Sequence, residues 1–182
     1  MTHDTGTSGD LFALLDLERA NLIAKFERVP ALQRAERPGE GEWSALEIVE
    51  HVARVEAGVV KMIAAGGKMP LSATAEELAR AQMTPKRIAA VRTRGEKLAA
   101  PDRVQPTGAL TPVMVMDQIA SSRAGLRTAY AAADPAVLDG ILFPHPFLGP
   151  LTLRAWVVLV AHHEARHAVQ MGEVADHWLA GK

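Results

Sequence analysis

The chain has 182 residues, of which 48% are hydrophobic, and these values fit one domain (residues 1–182) with a sizeable core. Its 20 basic residues nearly balance its 21 acidic ones, and this excludes the basic footprint of a nucleic-acid-binding protein. The absence of cysteine excludes disulfides and thiolate ligands. No apolar run approaches the roughly 20 residues that span a bilayer, and the polar start lacks a signal-peptide core, so we expect a cytoplasmic protein without nucleic-acid or membrane partners.

Four long segments place apolar residues at alternating steps of three and four, and this period predicts an all-α fold. The first predicted helix begins after Asp10, a residue suited to capping a helix N-terminus, and ends before Pro30. The second begins at Ser44, which stands three residues before Glu47 in the spacing of a capping box. We expect it to end at the glycine pair 66–67.

The third predicted helix begins at Thr111, which is followed by a proline at the first helical position. The fourth runs from about Leu153 to near the C-terminus. The connection between the second and third helices is long, so we expect one or two short helices within it. These would lie around residues 76–82 and 86–98, and residues 134–150 would form a second crossover. The pattern predicts a four-helix bundle with long crossover connections.

The letters HEARH at 163–167 match the H-E-x-x-H signature of zinc peptidases. Histidines four residues apart project from one face of a helix and can bind one ion. The longer peptidase motif also needs a glycine and a third histidine, but Gln170 and Glu173 stand at those positions. A peptidase is therefore disfavoured, while a metal site is not.

The phase of the fourth helix places His163, His167 and Gln170 on its apolar seam. A buried imidazole without a partner costs on the order of 1–3 kcal/mol, and a metal ion would satisfy both histidines at once. His51 interrupts the apolar stripe of the second helix in the same way. Three histidine ligands with an open fourth position are typical of a catalytic metal site, and we expect Gln170 to hydrogen-bond a ligand.

Three charged residues have two interpretations each. Glu164 could act as a general base on a metal-bound water, or it could be a solvated or supporting carboxylate. Glu56 and Arg123 interrupt apolar stripes on two helices, so they form either a buried ion pair or separate side chains that reach solvent. A di-iron carboxylate centre is excluded because the third helix contains no glutamate.

The remaining histidines and two tryptophans are not assigned to the site. His162 is about 100° away from His163 around the helix, so we expect a surface or flanking position. No role is predicted for His3, His145 and His177. Trp43 and Trp156 are predicted to belong to the core.

Three stretches resemble the DinB-like family of metal-binding four-helix bundles. They are EWSALEIVEHVARVE from Glu42, APDRVQPTG from Ala100 and HPFLGPLTLRAWVVLVAHHEARHAVQM from His145. In that family one histidine on the second helix and two in an H-x-x-x-H on the last bind a divalent metal, commonly zinc or nickel. The matching positions here are His51, His163 and His167.

The resemblance also implies a range of functions, since family members with assigned activities are similar to thiol-dependent S-transferases and isomerases. We expect a metal-dependent enzyme that acts on a small molecule, with a low-molecular-weight thiol as a partner. Two alternatives stay open: a metal-dependent hydrolase with Glu164 as its base, and a metal- or ligand-binding protein without turnover. A homodimer is one assembly that we expect this chain to be able to form.

Overall fold

The computed structural model describes residues 8–95 and 99–180, and these residues form the all-α bundle that the sequence predicts. The four long helices are α1 (Ser8–Arg28), α2 (Ala45–Gly66), α5 (Pro112–Ala132) and α7 (Leu153–Ala180). Three short helices lie in the connections: α3 (Ala75–Arg80), α4 (Pro85–Arg92) and α6 (Pro135–Gly140). Among the described residues, no helix is both long and apolar enough to cross a membrane.

The predicted helix starts agree with the structure where a capping side chain marks them. The hydroxyl of Ser44 accepts a hydrogen bond from the amide of Glu47, whose carboxylate accepts one from the Ser44 amide at 2.8 Å. Thr111 caps α5 in the predicted way. The start of α1 differs, because the helix begins at Ser8 and places Asp10 in its first turn, where an acidic side chain favours the helix dipole.

The long helices pack as two parallel pairs that run in opposite directions. Arg28 in the last turn of α1 binds Asp176 in the last part of α7, so these neighbours are parallel. Gly66 at the end of α2 lies against Leu153 at the start of α7, so these two are antiparallel. Helix α5 packs beside α2 and also runs against α7, since Tyr130 near its end contacts the first turn of α7. The connection between α2 and α5 must therefore return along the bundle.

That connection contains α3, α4 and a 3₁₀ turn at Asp102–Val104. The predicted short helices are thus confirmed, although α4 ends at Arg92 instead of reaching residue 98. Residues 96–98 of that expectation lie outside the described residues. Helix α4 packs on α7 and the 3₁₀ turn packs on α2, so the connection covers the region between these two helices.

The second connection contains α6 and a hairpin that the sequence pattern does not indicate. Strands β1 (Leu142–His145) and β2 (Gly149–Thr152) pair antiparallel, with His145 opposite Gly149. Each strand has only four residues and one of them is a proline, so no alternation is long enough to detect. The hydroxyl of Thr152 accepts a hydrogen bond from the amide of Ala155, and this contact begins α7.

Two apolar clusters fill the bundle, one at the hairpin end and one at the opposite end. Between them lies a cross-section that we call the polar layer, with one charged residue from each long helix: Arg19, Glu56, Arg123 and Glu164. Arg123 binds Glu56 at 2.6 Å and Glu164 at 2.8 Å, and Arg19 binds the same two carboxylates at 2.8 and 2.7 Å. Of the two interpretations of Glu56 and Arg123, the structure shows the buried ion pair, which belongs to a network that also includes Asp16, bound to Arg123 at 3.0 Å.

Candidate metal centre

The three predicted ligand residues meet where α2 and α7 face each other. The Nε2 atom of His163 lies 3.2 Å from Nε2 of His51 and 3.1 Å from Nε2 of His167. Antiparallel packing brings residue 51 of α2 level with residues 163–167 of α7, and the four-residue step aligns the last two on one face. His51 and His167 are buried, whereas His163 is partly exposed, so His163 is the residue of the cluster that lies nearest to solvent.

Hydrogen bonds fix which nitrogen of two rings carries the proton. The Nδ1 atom of His51 lies 2.8 Å from the carbonyl oxygen of Val104, and Nδ1 of His167 lies 2.8 Å from the side-chain oxygen of Gln170. Because these oxygens only accept, each Nδ1 donates and each Nε2 keeps a lone pair directed at the cluster. The predicted contact from Gln170 to a histidine of the site is therefore present.

The three nitrogen atoms have a spacing suited to a cation. If Nε2 of His163 carries a proton, it can donate that proton to the Nε2 lone pair of His51 or to that of His167, but not to both at once. A cation at the centre would satisfy all three nitrogens together. Three nitrogens bound tetrahedrally to zinc at its usual bond length would lie about 3.3 Å apart, which is close to the two distances from Nε2 of His163, and all three ligand atoms lie within 4.8 Å of one another. The residues present therefore fit a divalent ion.

Electrostatics keeps these imidazoles neutral. Burial lowers the pKa of His51 to about 4. Burial and the neighbouring imidazoles hold the pKa values of His163 and His167 well below the usual histidine value. Metal ligation requires neutral imidazole, so all three side chains are in the binding form at neutral pH.

Trp43 borders the cluster as well as belonging to the apolar interior. Its ring centroid lies 4.7 Å from that of His51 and 6.3 Å from that of His167. The Trp43 side chain is partly buried. Because Trp43 directly precedes Ser44, the capping residue of α2, the start of that helix fixes its position. The sequence predicts Trp43 only as a core residue, and the structure adds its contact with two of the site histidines.

Trp156 is a core residue as predicted. It is buried, and its indole nitrogen donates to the carbonyl oxygen of Phe143 at 3.2 Å.

Glu50 supports the site and was missed by sequence reasoning. Its buried carboxylate accepts hydrogen bonds from the amide and hydroxyl of Thr107 at 3.0 and 2.9 Å and from the amide of Gly108 at 3.3 Å. These bonds hold the end of the long connection against α2, next to Val104, which accepts from His51. The only sequence signal is that Glu50 directly precedes His51 in α2.

Of the two interpretations of Glu164, the structure favours a supporting carboxylate over a general base. Its fully buried carboxylate binds Arg19 through both oxygens and also binds Arg123 in the polar layer. Burial raises the pKa of this carboxyl, and the two guanidinium groups act against that effect. Glu164 points toward α1 and α5 rather than toward the histidine cluster, because three residues along a helix turn its side chain about 60° away from His167.

The other histidines take different positions. Of the two positions expected for His162, the surface one is wrong because the residue is buried; it flanks the cluster, and its Nδ1 lies 2.9 Å from the Arg92 guanidinium. His177 is exposed beside Trp178. His145 lies in β1 against the ring of Trp156. His3 lies outside the described residues.

Replacing Gln170 by leucine should lower divalent-metal affinity by about 10–100-fold, the usual effect of losing a hydrogen-bond partner of a histidine ligand. The substitution removes the acceptor for Nδ1 of His167, which then no longer favours the tautomer with its lone pair at the cluster. Gln170→Glu keeps an acceptor and should retain most of the affinity. Competition with a chromophoric chelator would measure both, and native affinity in Gln170→Leu would show that this contact does not matter.

A four-helix bundle with three converging histidines between antiparallel helices defines the class of this protein. The family model of the DinB superfamily matches residues 14–171, and the chain belongs to that superfamily. The matched range includes α2, the long connection and the histidines of α7.

Two relatives agree with this assignment. The chain is 26% identical over 142 residues to the uncharacterized protein YuaE of Bacillus subtilis (strain 168), covering 78% of this chain and 82% of that protein. It is also similar to the crystal structure of TT2238, a four-helix bundle protein, with a TM-score of 0.59 and 23% identity. That alignment covers 92% of this chain and 99% of TT2238, and it supports the fold.

Proposed function

We propose that His51, His163 and His167 bind a divalent metal ion and that the chain is a metal-dependent enzyme acting on a small molecule, with thiol-dependent S-transferase-like chemistry. The observation that carries the proposal is the convergence of three Nε2 atoms, in which Nε2 of His163 lies 3.2 Å from that of His51 and 3.1 Å from that of His167, while Nδ1 of His51 and of His167 is bound to another residue. Membership of the DinB superfamily and the histidine cluster both fit metal binding.

Zinc or nickel is the ion that we propose, and the donor set is compatible with both. All three donors are neutral imidazoles, which suit zinc, copper, iron and nickel, whereas magnesium and calcium prefer oxygen. The chain has no cysteine to provide a thiolate ligand, so a thiol at the site would come from a second molecule. A divalent ion with three protein ligands and an open position lowers the pKa of a bound thiol or water, which supplies a nucleophile at neutral pH.

The protein side chains orient and shield this centre. Val104 and Gln170 keep the lone pairs of His51 and His167 directed inward. Trp43 covers one side of these two rings and limits access of water there. The partly exposed His163 marks the side from which a thiol and an electrophile can approach.

The hydrolase alternative is not proposed further, because the carboxylate of Glu164 is occupied by two guanidinium groups. A metal- or ligand-binding protein without turnover would use the same fold and the same histidine cluster as the enzyme. The two are separated by an activity measurement.

The test incubates zinc- or nickel-loaded protein with glutathione or cysteine and an aryl chloride. In the reaction a C–S bond forms, the C–Cl bond breaks, chloride leaves with the bonding electrons, and the thiol proton passes to solvent. We expect loss of free thiol above the uncatalysed rate, dependence on metal and no turnover by His163→Ala. Tight metal binding without turnover across a panel of thiols and electrophiles would favour a binding protein.

A further inference from the structure

His145 presents a hydrogen-bond donor whose direction is fixed by the hairpin. Its Nδ1 atom accepts from the backbone amides of Phe147 at 3.2 Å and Leu148 at 3.1 Å, in the turn between β1 and β2. Because amides only donate, Nδ1 carries the lone pair and the ring proton lies on Nε2. The Nε2–H bond therefore points away from the turn.

The hairpin places this donor beside the histidine cluster. The ring of His145 packs on Trp156 at a centroid distance of 5.1 Å, and Trp156 lies on the same seam of α7 as His163. His145 is close enough to act electrostatically on His163. Arg103, which also acts on His145, precedes Val104, the residue that accepts from His51.

The charged groups acting on these four histidines are all cationic. Arg54 acts on His51, Arg166 on His163, and Arg166 with Arg94 on His167. Burial, Arg103 and Arg87 together lower the pKa of His145 to about 4, so its ring is neutral.

Arg87 and Arg103 keep an uncompensated charge. Arg87 donates to the carbonyl oxygens of Gln82 and Leu148 at 2.8 and 2.9 Å, which leaves its positive charge in place. Within residues 8–95 and 99–180, neither Arg87 nor Arg103 forms an ion pair with a carboxylate. The surroundings of His145 thus combine a neutral N–H donor with positive charge.

We propose that the Nε2–H group of His145 and the guanidinium of Arg103 bind a carboxylate of the small-molecule substrate beside the histidine cluster. A carboxylate has two acceptor oxygens, so one can accept from the imidazole and the other from the exposed guanidinium. The role as a substrate site rests on the proposed function, whereas the carboxylate-binding chemistry depends on His145 and Arg103 alone. His145 is then a substrate-binding residue that does not ligate the metal.

The test follows the His145 ring by nitrogen-15 NMR in histidine-labelled protein, first as purified and then with zinc added. Glutarate is the probe, and glutaramide is the neutral control of the same length. We expect glutarate to shift the His145 Nε2 resonance and glutaramide to leave it unchanged. Calorimetry of the same titrations would give the affinities for the variants.

His145→Phe keeps a ring on Trp156 but lacks the N–H donor, and Arg103→Gln removes the charge from an exposed position. Each should weaken glutarate binding by about tenfold, the usual value of a charge-assisted hydrogen bond. Arg103→Lys should retain binding, and His177→Phe is the matched control because His177 also lies on a tryptophan ring. Equal glutarate affinity in wild type, His145→Phe and Arg103→Gln, or equal binding of glutaramide, would overturn the proposal. Neither result would change the affinity for zinc, so failure of the carboxylate proposal can be distinguished from failure of the proposed metal site.

Discussion

Replacement of His51, His163 or His167 by alanine is expected to lower the affinity for zinc or nickel by more than about 100-fold, beyond the usual effect of losing a supporting hydrogen bond. Each residue contributes one Nε2 atom to the cluster, in which Nε2 of His163 lies 3.2 Å from that of His51 and 3.1 Å from that of His167. Two imidazoles on one helix, or one on each of two helices, leave too few ligands for a stable site. Calorimetric titration of the variants measures this loss.

His162→Ala and His177→Ala are the controls for this series. His162 is adjacent to His163 but faces Arg92, and His177 is exposed near the end of α7. Both variants should bind metal with native affinity. Undiminished binding by His51→Ala would remove that residue from the site, while loss of binding in His162→Ala would place the site on another face of α7. The metal-free protein should stay helical, because two apolar clusters hold the bundle together.

Removing a single member of the polar layer should destabilise the fold by about 3–5 kcal/mol, because it leaves a buried charge without its partner. In Arg123→Met, Glu56 and Glu164 would share only Arg19, although both carboxylates are fully buried. Glu56→Leu would leave two guanidinium groups with one buried carboxylate. Chemical denaturation would give both free energies of unfolding.

The double variant Glu56→Leu with Arg123→Met should cost much less than the sum of the single changes, since Arg19 and Glu164 remain as a neutral pair. Strictly additive losses would show that the two residues do not interact. The exposed pair of Arg28 and Asp176 is a suitable comparison, because its coupling should be at most about 1 kcal/mol.

Local signals explain which parts of the fold were predictable. Ser44 and Thr111 cap their helices through contacts within three residues, so their patterns are complete in the sequence. The hairpin has no such pattern, since its strands are short and interrupted by Pro144 and Pro150. Its formation depends on the pairing of the strands and on packing against the start of α7.

In the candidate metal site, too, some features follow from local sequence signals and others depend on tertiary contacts. The spacing of His163 and His167 and the phase of α7 indicate a paired site without reference to any other helix. His51 interrupts an apolar stripe, but the register between α2 and α7 that brings it into contact is a tertiary property.

Contacts between residues that are distant in sequence could not be predicted for the same reason. Glu164 has the spacing of a general base, yet Arg19, 145 residues earlier, binds its carboxylate. Glu50 depends on Thr107 across the long connection, and His145 depends on the hairpin turn. Periodicity identifies a helical face but does not determine which side chains another element brings to it.

Anomalous diffraction from crystals of the zinc- or nickel-loaded protein would test the central claim most directly. We predict a single strong peak between the Nε2 atoms of His51, His163 and His167, with metal–nitrogen distances of about 2.0–2.1 Å in the zinc form. The ring of His145 should lie near this peak without ligating the metal. A protein that stays free of metal, or an anomalous peak bound by other residues while these three imidazoles have no metal, would contradict the account.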